Sequence, residues 1–151
     1  MKRVYVNEEW CLGCHLCEIQ CAFANSGEAD MVKAFNNSEQ KPLARITVED
    51  GENDIHFAVS CRHCETPYCV KGCITGALTV NENGIVQIDD TRCVGCRTCI
   101  LMCPYGCLTV GHNKTLLKCE LCVENLGGEP SCVRRCPNNA IVFEDRDGGL
   151  L

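Results

Sequence analysis

CVGCRTCILMCP, residues 93–104, places four cysteines at the spacing C-x2-C-x2-C-x3-C, and residues 11–21, CLGCHLCEIQC, repeat that spacing. In the first of these stretches, Cys93, Cys96 and Cys99 fall within seven residues and Cys103 lies one helical turn later. Three thiolates so close together can wrap a loop around one face of a cubic cluster. The fourth thiolate, at i+4 from the third, points away from that face and toward a different cluster. The spacing therefore predicts bacterial-type [4Fe–4S] binding.

Four groups of this kind account for all but one of the 17 cysteines. The second and fourth groups keep both ends of the pattern, C-x2-C and C-x3-C, and lengthen only the middle gap. Group by group, the candidate ligands are Cys11, Cys14, Cys17 and Cys21; Cys61, Cys64, Cys69 and Cys73; Cys93, Cys96, Cys99 and Cys103; and Cys119, Cys122, Cys132 and Cys136. Zinc is the alternative, because C-x2-C pairs are common zinc ligands. We favour four [4Fe–4S] clusters, since tetrahedral zinc rarely draws three ligands from so short a segment.

The composition indicates a chain that works in a reducing compartment. Cysteine at this density occurs in secreted disulfide scaffolds and in cytosolic metal–sulfur proteins. The N-terminal MKRVYVNEEWC lacks the apolar stretch of a secretory signal, and no apolar run approaches the roughly 20 residues of a membrane helix. We therefore expect a cytoplasmic protein without a membrane anchor, with thiols that are ligands rather than disulfides. The net charge of −6 and the lack of a basic stripe argue against a nucleic-acid partner.

The remaining cysteine, Cys107, is placed by an internal repeat. Similar segments follow the last cysteine of groups two, three and four: ITGALTV, PYGCLTV and PNNAIVF. Aligned on that cysteine, Cys107 occupies the position of Ala77 and Ala140 in the other two copies. We predict that Cys107 is a small buried packing residue and not a ligand, with a redox or resolving thiol as the alternative.

The pattern between the cysteines predicts an α+β fold of short helices and β-hairpins around metal-cluster cores. We expect an opening strand at residues 3–7, a short helix over CEIQCAFA and a closing strand over AIVFED. LARITVED-GEN-DIHFAVS and ALTV-NENG-IVQID are expected to form hairpins, with Gly51 and Asn83-Gly84 in the turns. Residues 25–42 are polar and mixed, and we expect them to form an insertion or surface loop.

This order predicts two pseudo-symmetric lobes, each like a two-cluster bacterial ferredoxin. Residues 43–110 form the inner lobe, and residues 1–42 with 111–151 form the outer lobe. If paired groups exchange their last cysteines, as in bacterial ferredoxins, group two pairs with group three, so group one pairs with group four and the chain ends meet. The predicted ligand sets are A (Cys11, Cys14, Cys17, Cys136), B (Cys119, Cys122, Cys132, Cys21), C (Cys61, Cys64, Cys69, Cys103) and D (Cys93, Cys96, Cys99, Cys73).

These motifs resemble the four-cluster ferredoxin-like electron-transfer subunits of multi-subunit oxidoreductases, of the dimethyl sulfoxide reductase iron–sulfur subunit type. CRHCETPYC and KCELC…GGEPSCVRRCPNNAI carry the resemblance most clearly, and it covers residues 3–144. The resemblance implies the same sixteen ligands and the same exchanged ligation. The chain is short and shows no C-terminal membrane anchor, so it is most similar to the small soluble members. Those members serve tungsten aldehyde oxidoreductases, carbon monoxide dehydrogenase–hydrogenase systems and formate dehydrogenases, and the tungsten group is the leading candidate.

Four clusters with four protein ligands each leave no iron open for a substrate, which indicates an electron-transfer subunit rather than an enzyme. The expected partners are a catalytic subunit with a tungsten or molybdenum pterin and an acceptor or flavin/NAD-reducing subunit, within anaerobic metabolism. A glycine-rich phosphate loop is absent from the sequence, so no nucleotide or flavin site is expected in this chain. A free-standing polyferredoxin shuttle and a zinc-stabilised interaction module are the alternatives.

Several side chains next to the cysteines have more than one interpretation. The cations that flank ligands could raise cluster potentials, lie on solvated faces or dock a partner; they are Arg62, Arg97, Lys118, Arg134 and Arg135. His15 and His63 are expected to form hydrogen bonds or lie exposed, because no cysteine ligand is missing. The aromatic residues beside ligands are expected to shield clusters from water; they are Trp10, Tyr68 and Tyr105.

Overall fold

Short helices and two-stranded ribbons, joined by the cysteine-bearing loops, make up the fold of the computed structural model, which describes residues 1–36, 39–127 and 129–146. The helices within these residues are α1 (Leu16–Ala24), α2 (Met31–Asn36), α3 (Tyr68–Lys71), α4 (Thr98–Leu101), α5 (Val123–Leu126) and α6 (Ser131–Arg134). The strands are β1 (Arg3–Val6), β2 (Ile46–Asp50), β3 (His56–Ser60), β4 (Leu78–Val80), β5 (Val86–Ile88), β6 (Thr109–Val110), β7 (Leu116–Leu117) and β8 (Ile141–Glu144). None of these helices is long and apolar enough to cross a bilayer.

The strands pair in four antiparallel ribbons, β1 with β8, β2 with β3, β4 with β5 and β6 with β7. The first ribbon joins the two ends of the chain, with Arg3 opposite Glu144 and Val6 opposite Ile141. The predicted meeting of the chain ends is therefore confirmed, as are the opening and closing strands. Both predicted hairpins are present, and the combination of small sheets and short helices confirms the α+β class.

The helices are short because proline and cysteine loops bound them. Pro67 and Pro130 stand at the N-caps of α3 and α6, where the fixed φ of proline suits the start of a helix. Helix α1, predicted over CEIQCAFA, begins at Leu16, directly after His15 in the left-handed region at φ 57°. The longest helix thus starts where the first cysteine loop ends.

Some short elements were missed by the sequence patterns, and α2 and β7 are two of them. Residues 25–42 were expected to form a loop, but Met31–Asn36 form α2, which buries Ala34. Asp30 Oδ1 accepts a hydrogen bond from the Lys33 backbone N–H at 3.0 Å, which is a helix-start signal that the polar composition obscured. Residues 37–38 of this predicted loop lie outside the described residues. The second missed element is β7, whose Leu116 and Leu117 lie in a segment too short to show alternation.

The core consists of thiols and aliphatic side chains together. One buried cluster of side chains includes Ile46, Leu121 and Ile141 with Cys17, Cys21, Cys119 and Cys132. A second includes Leu78, Val86 and Leu116 with Cys99. Cys103 packs against both clusters, so the two parts of the core are continuous around the cysteine loops.

Candidate metal centres

Three of the four predicted cysteine sets each line a cavity of their own. Set A lines a cavity of about 330 Å³, set C one of about 370 Å³ and set D one of about 420 Å³. In each wall, three cysteines of one group meet the last cysteine of another group, namely Cys136 in A, Cys103 in C and Cys73 in D. The structure therefore brings together the cysteines that the exchanged pattern assigns to these three sets.

Set B lies in the interior of the protein. Cys21, Cys119 and Cys132 are buried and Cys122 is half-buried. Burial raises the pKa of Cys132, and the neighbouring thiols of Cys119, Cys21 and Cys122 raise it further, which places the four side chains together. Backbone amides also reach these sulfurs: Arg45 N–H donates to Cys21 Sγ at 3.2 Å, and Leu121 N–H donates to Cys119 Sγ at 3.4 Å.

Left-handed residues shape the first and third cysteine loops in the same way. His15 at φ 57° and Arg97 at φ 64° each stand two residues before the third cysteine of their group. Gly95, at φ 68°, is the position where a side chain is least tolerable, because an added Cβ would lie 2.6 Å from the Lys114 carbonyl oxygen. The repeated turn holds the first three thiols of each loop around one cavity.

The cysteine sets fit a cluster better than a single ion. Among the described residues, no three Cys, His, Asp or Glu side chains converge closely enough to hold one metal ion. The cysteines of sets A, C and D nevertheless face shared cavities. Four thiols on the wall of one cavity match the four iron corners of a cubic cluster.

The thiols in the interior would be costly to ionise without a metal. Burial raises the pKa of Cys17 and Cys119 to about 12 and that of Cys69 to about 11, well above the ordinary value of about 8.5. At the solvent-exposed Cys96 the direction reverses, because the Thr98 hydroxyl donates to its sulfur at 3.5 Å and lowers the pKa. Since a metal binds the thiolate and not the thiol, coordination would stabilise these buried side chains in the ionised form.

The sets differ in exposure. Sets A and D each have one exposed cysteine, Cys14 and Cys96, whereas no cysteine of sets B and C is exposed. Exposed apolar side chains share the cavity walls with these two cysteines: Leu12 with Cys14 and Val94 with Cys96. Leu101, the last residue of α4, is 87% exposed. Sets A and D are therefore the two sets whose cysteines reach the surface.

The flanking cations are not alike. Arg97, Arg134 and Arg135 are exposed, as a solvated or docking role requires, and Arg62 is half-buried with its guanidinium 5.4 Å from the Tyr105 ring centroid. Lys118 is only 1% exposed, so the interpretation of a solvated face is wrong for this residue. Its ammonium donates to the carbonyl oxygens of Val86 and Cys119. The sequence carries no signal for this burial, because lysine is almost never fully buried.

The histidines form hydrogen bonds, as predicted. His15 Nδ1 lies 2.8 Å from a Glu18 carboxylate oxygen on the surface. His63 is fully buried, and its Nδ1 accepts the Val86 N–H at 3.1 Å. Burial, followed by the charges of Lys118 and Arg3, lowers the pKa of His63 to about 3, so the ring is neutral at physiological pH.

Two of the predicted shielding aromatic residues cover only one side of a cavity. Trp10 lines the set A cavity and Tyr68 the set C cavity, but both are more than half exposed. Tyr105 packs against the main core and also lines the set C cavity.

Cys107 is buried, as the repeat predicts, with 9% of its surface exposed. Its thiol donates to the Tyr105 carbonyl oxygen at 3.5 Å, and it lines the set C cavity beside Cys103. The predicted burial is confirmed, and the absence of a ligand role stays a prediction.

Residues 53–146 match the model of the protein family described as the 4Fe-4S dicluster domain. The chain belongs to this family. The matched region includes the cysteines of groups two, three and four, and the family's description agrees with the predicted type of cluster.

Individual relatives extend the likeness to most of the chain. An iron-sulfur protein from Rhodospirillum rubrum is 34% identical over 95% of this chain and 82% of its own length. A sulfite dehydrogenase subunit from Allochromatium vinosum is 37% identical over 89% of this chain, which spans 65% of that protein. Thiosulfate reductase electron transfer subunit PhsB from Salmonella typhi is 34% identical over 91% of this chain and 72% of its own length. These relatives confirm the prediction of an iron–sulfur electron-transfer protein rather than a substrate-binding enzyme.

Proposed function

We propose that this chain is the iron–sulfur subunit of an oxidoreductase complex and carries single electrons along four [4Fe–4S] clusters held by sets A, B, C and D. The observation that carries the proposal is the grouping of the cysteines, in which three of the exchanged sets surround separate cavities and the fourth lies buried between them. Each cluster supplies a one-electron redox centre when bound. The protein's own residues would bind these clusters, shield them from water and offset their negative charge.

Contacts between neighbouring sets support the order A–B–C–D. The charge of Cys17 in set A acts on Cys132 in set B, and the charge of Cys61 in set C acts on Cys119 in set B. Sets C and D share the second core cluster, where Cys69 and Cys73 pack against the same buried residues. The exposed cysteines Cys14 and Cys96 then belong to the two terminal sets. Four clusters in this order would form a linear electron-transfer chain, which we call the wire. It can receive an electron at one terminal set and release it at the other.

Buried apolar side chains shield set B and part of set C from water. Leu121 and the buried thiols surround set B, and Val86 and Leu108 line the cavity of set C. Excluding water from a redox centre reduces the reorganisation that each electron transfer requires. Backbone N–H groups aimed at Cys21 and Cys119 stabilise the added negative charge without solvent.

The two-lobe division belongs to this proposal. Sets C and D lie in residues 43–110, whereas sets A and B draw on residues 1–42 and 111–151, of which 147–151 lie outside the described residues. The β1–β8 ribbon supports it, because it closes the outer lobe by pairing the two ends of the chain. Exposed thiol ligands such as Cys14 and Cys96 favour a reducing, cytoplasmic setting.

The proposed partners are a catalytic subunit at one terminal set and an acceptor or flavin/NAD-reducing subunit at the other. A tungsten or molybdenum pterin enzyme, with tungsten aldehyde oxidoreductase as leading candidate, is proposed from the sequence resemblance. Relatives named for sulfite dehydrogenase and thiosulfate reductase supply the alternative class of catalytic subunit.

A reductive titration tests the function. Protein purified without oxygen is titrated with a quantified one-electron reductant while its visible absorption and electron paramagnetic resonance (EPR) spectra are recorded. We expect brown protein that takes up about four electrons per chain, one for each [4Fe–4S] cluster. Colourless protein that takes up no electrons would contradict the proposal and leave the zinc-stabilised module. Co-purification with a large catalytic chain then separates a subunit from a free-standing shuttle.

A further inference from the structure

Lys118 is a buried cation in the wall between the two interior sets. Its side chain is 1% exposed, and its ammonium donates to the carbonyl oxygens of Val86 and Cys119. Cys119 belongs to set B, and Val86 lines the cavity of set C. The same Val86 residue donates its N–H to His63, so both polar groups of this residue are fixed by hydrogen bonds. The ammonium is therefore held in one place, within reach of both interior sets.

Nearby protein charges do not neutralise this lysine. Glu120, two residues along the chain, is occupied elsewhere: one oxygen lies 3.3 Å from Arg45 Nη1 and the other accepts the Ile88 N–H at 2.9 Å. In the part of the chain that the structure describes, no carboxylate forms an ion pair with Lys118. An unpaired buried ammonium is strongly unfavourable, so Lys118 keeps its charge in the folded protein only if a compensating negative charge lies close to it.

The proposed clusters supply that charge. A [4Fe–4S] cluster with four thiolates carries about −2 when oxidised and −3 when reduced. Burial alone penalises the more highly charged reduced state and lowers the reduction potential. A fixed cation at low dielectric opposes this penalty, because it interacts more favourably with −3 than with −2.

We propose that Lys118 raises the reduction potentials of the clusters in sets B and C, so that the buried middle of the wire stays reducible. This inference rests on the proposed function, since it requires clusters in both sets. Lys118 acts through its charge: its ammonium donates to the backbone of strand β5 at Val86 and of the fourth cysteine group at Cys119, and it takes no part in ligation. The terminal sets A and D have no comparable buried lysine among the described residues.

The test is the Lys118→Gln variant, which removes the charge and keeps a donor for the carbonyl oxygens. EPR-monitored redox titration of the anaerobic protein measures the potential of each cluster. We expect two of the four clusters to become at least tenfold harder to reduce at a fixed potential, which equals a shift of at least 59 mV for one electron. The other two clusters keep their wild-type potentials. Lys118→Arg, which preserves the charge, is expected to retain the wild-type pattern.

Lys71→Gln is the matched control. Lys71 stands two residues from both Cys69 and Cys73, but it is exposed, so water and salt screen its charge. The same loss of charge there is expected to leave all four potentials unchanged. Unchanged interior potentials in Lys118→Gln, or an equal shift of all four, would overturn the inference.

Iron and sulfide contents separate this inference from the proposed function. If the wild-type protein holds no reducible clusters, the proposed function fails. If the wild type holds four clusters and Lys118→Gln holds four at unchanged potentials, only the role of Lys118 fails. Should Lys118→Gln lose iron, Lys118→Met is measured in the same way, because methionine has similar length and needs no hydrogen-bond partner. Lowered interior potentials in Lys118→Met support the inference, and wild-type potentials refute it.

Discussion

The terminal sets A and D and the interior sets B and C contain the same number of cysteines, but their surroundings differ. Each terminal set has an exposed cysteine, whereas no cysteine of the interior sets is exposed and the buried Lys118 lies beside them. The difference follows the cysteine spacing, since sets A and D begin with the compact C-x2-C-x2-C loop and sets B and C with a lengthened middle gap. The additional residues in the lengthened gap surround the thiols of the interior sets with more protein. Compact loops thus mark the two ends of the proposed wire, and lengthened loops mark its middle.

The largest expected effect is loss of the fold on removal of iron. The core mixes aliphatic side chains with thiols, and burial raises the pKa of the thiols at Cys17 and Cys119, so removing the clusters would leave the space between these thiols unfilled. Chelation under denaturing conditions followed by refolding without iron should give a chain with weak secondary structure by circular dichroism. A cooperative thermal transition in the iron-free protein would show that the interior sets are an ordinary hydrophobic core.

Loss of one ligand should affect one set. Cys21 lies in the first cysteine segment, but the structure places it with Cys119 and Cys132 in set B. Cys21→Ser should therefore remove or alter the interior cluster and lower the melting temperature, while the cluster of set A keeps its EPR signal. The matched variant is Cys14→Ser, in which the exposed thiol of set A is changed and the damage should be confined to set A. Damage to set A in Cys21→Ser would refute the exchanged ligation.

A surface change at a terminal set should alter electron transfer without altering stability. Val94 is exposed in the wall of the set D cavity, and Leu101 is exposed at the end of α4, the helix that carries Cys99 of set D, so Leu101→Ser removes apolar surface that the fold does not use. The free energy of unfolding should change by less than about 0.5 kcal/mol. The rate of reduction by the catalytic partner, measured by stopped flow, should fall if that partner docks at set D. An unchanged rate would assign this partner to set A, where Leu12→Ser is the corresponding variant.

The smallest expected effect is that of Cys107→Ala. The thiol is buried and donates one weak hydrogen bond to Tyr105, so its loss should cost about 1 kcal/mol or less. Iron content and all potentials should be unchanged, because alanine occupies this position in the other two copies of the repeat. Loss of the set C cluster in this variant would contradict the repeat-based assignment.

Local chemistry made most of the fold predictable from the sequence. Cysteine spacing indicated the loops, alternation indicated both long hairpins, and the cluster exchange required the chain ends to pair, as β1 and β8 do. Helix α2 was missed because Asp30, the residue that caps its start, lies in a polar segment whose sequence shows no helical periodicity. The burial of Lys118 could not be predicted either, because it depends on the carbonyl oxygens of Val86 and Cys119 and on charges that come from the proposed clusters.

The measurement that tests the account most directly is the content of iron, acid-labile sulfide and zinc per chain in protein purified without oxygen. Four cubic clusters require about 16 iron and about 16 sulfide per chain, with negligible zinc. About half that content would show that only two of the four sets hold clusters. Zinc near four with no sulfide would contradict the electron wire and leave a metal-stabilised binding module.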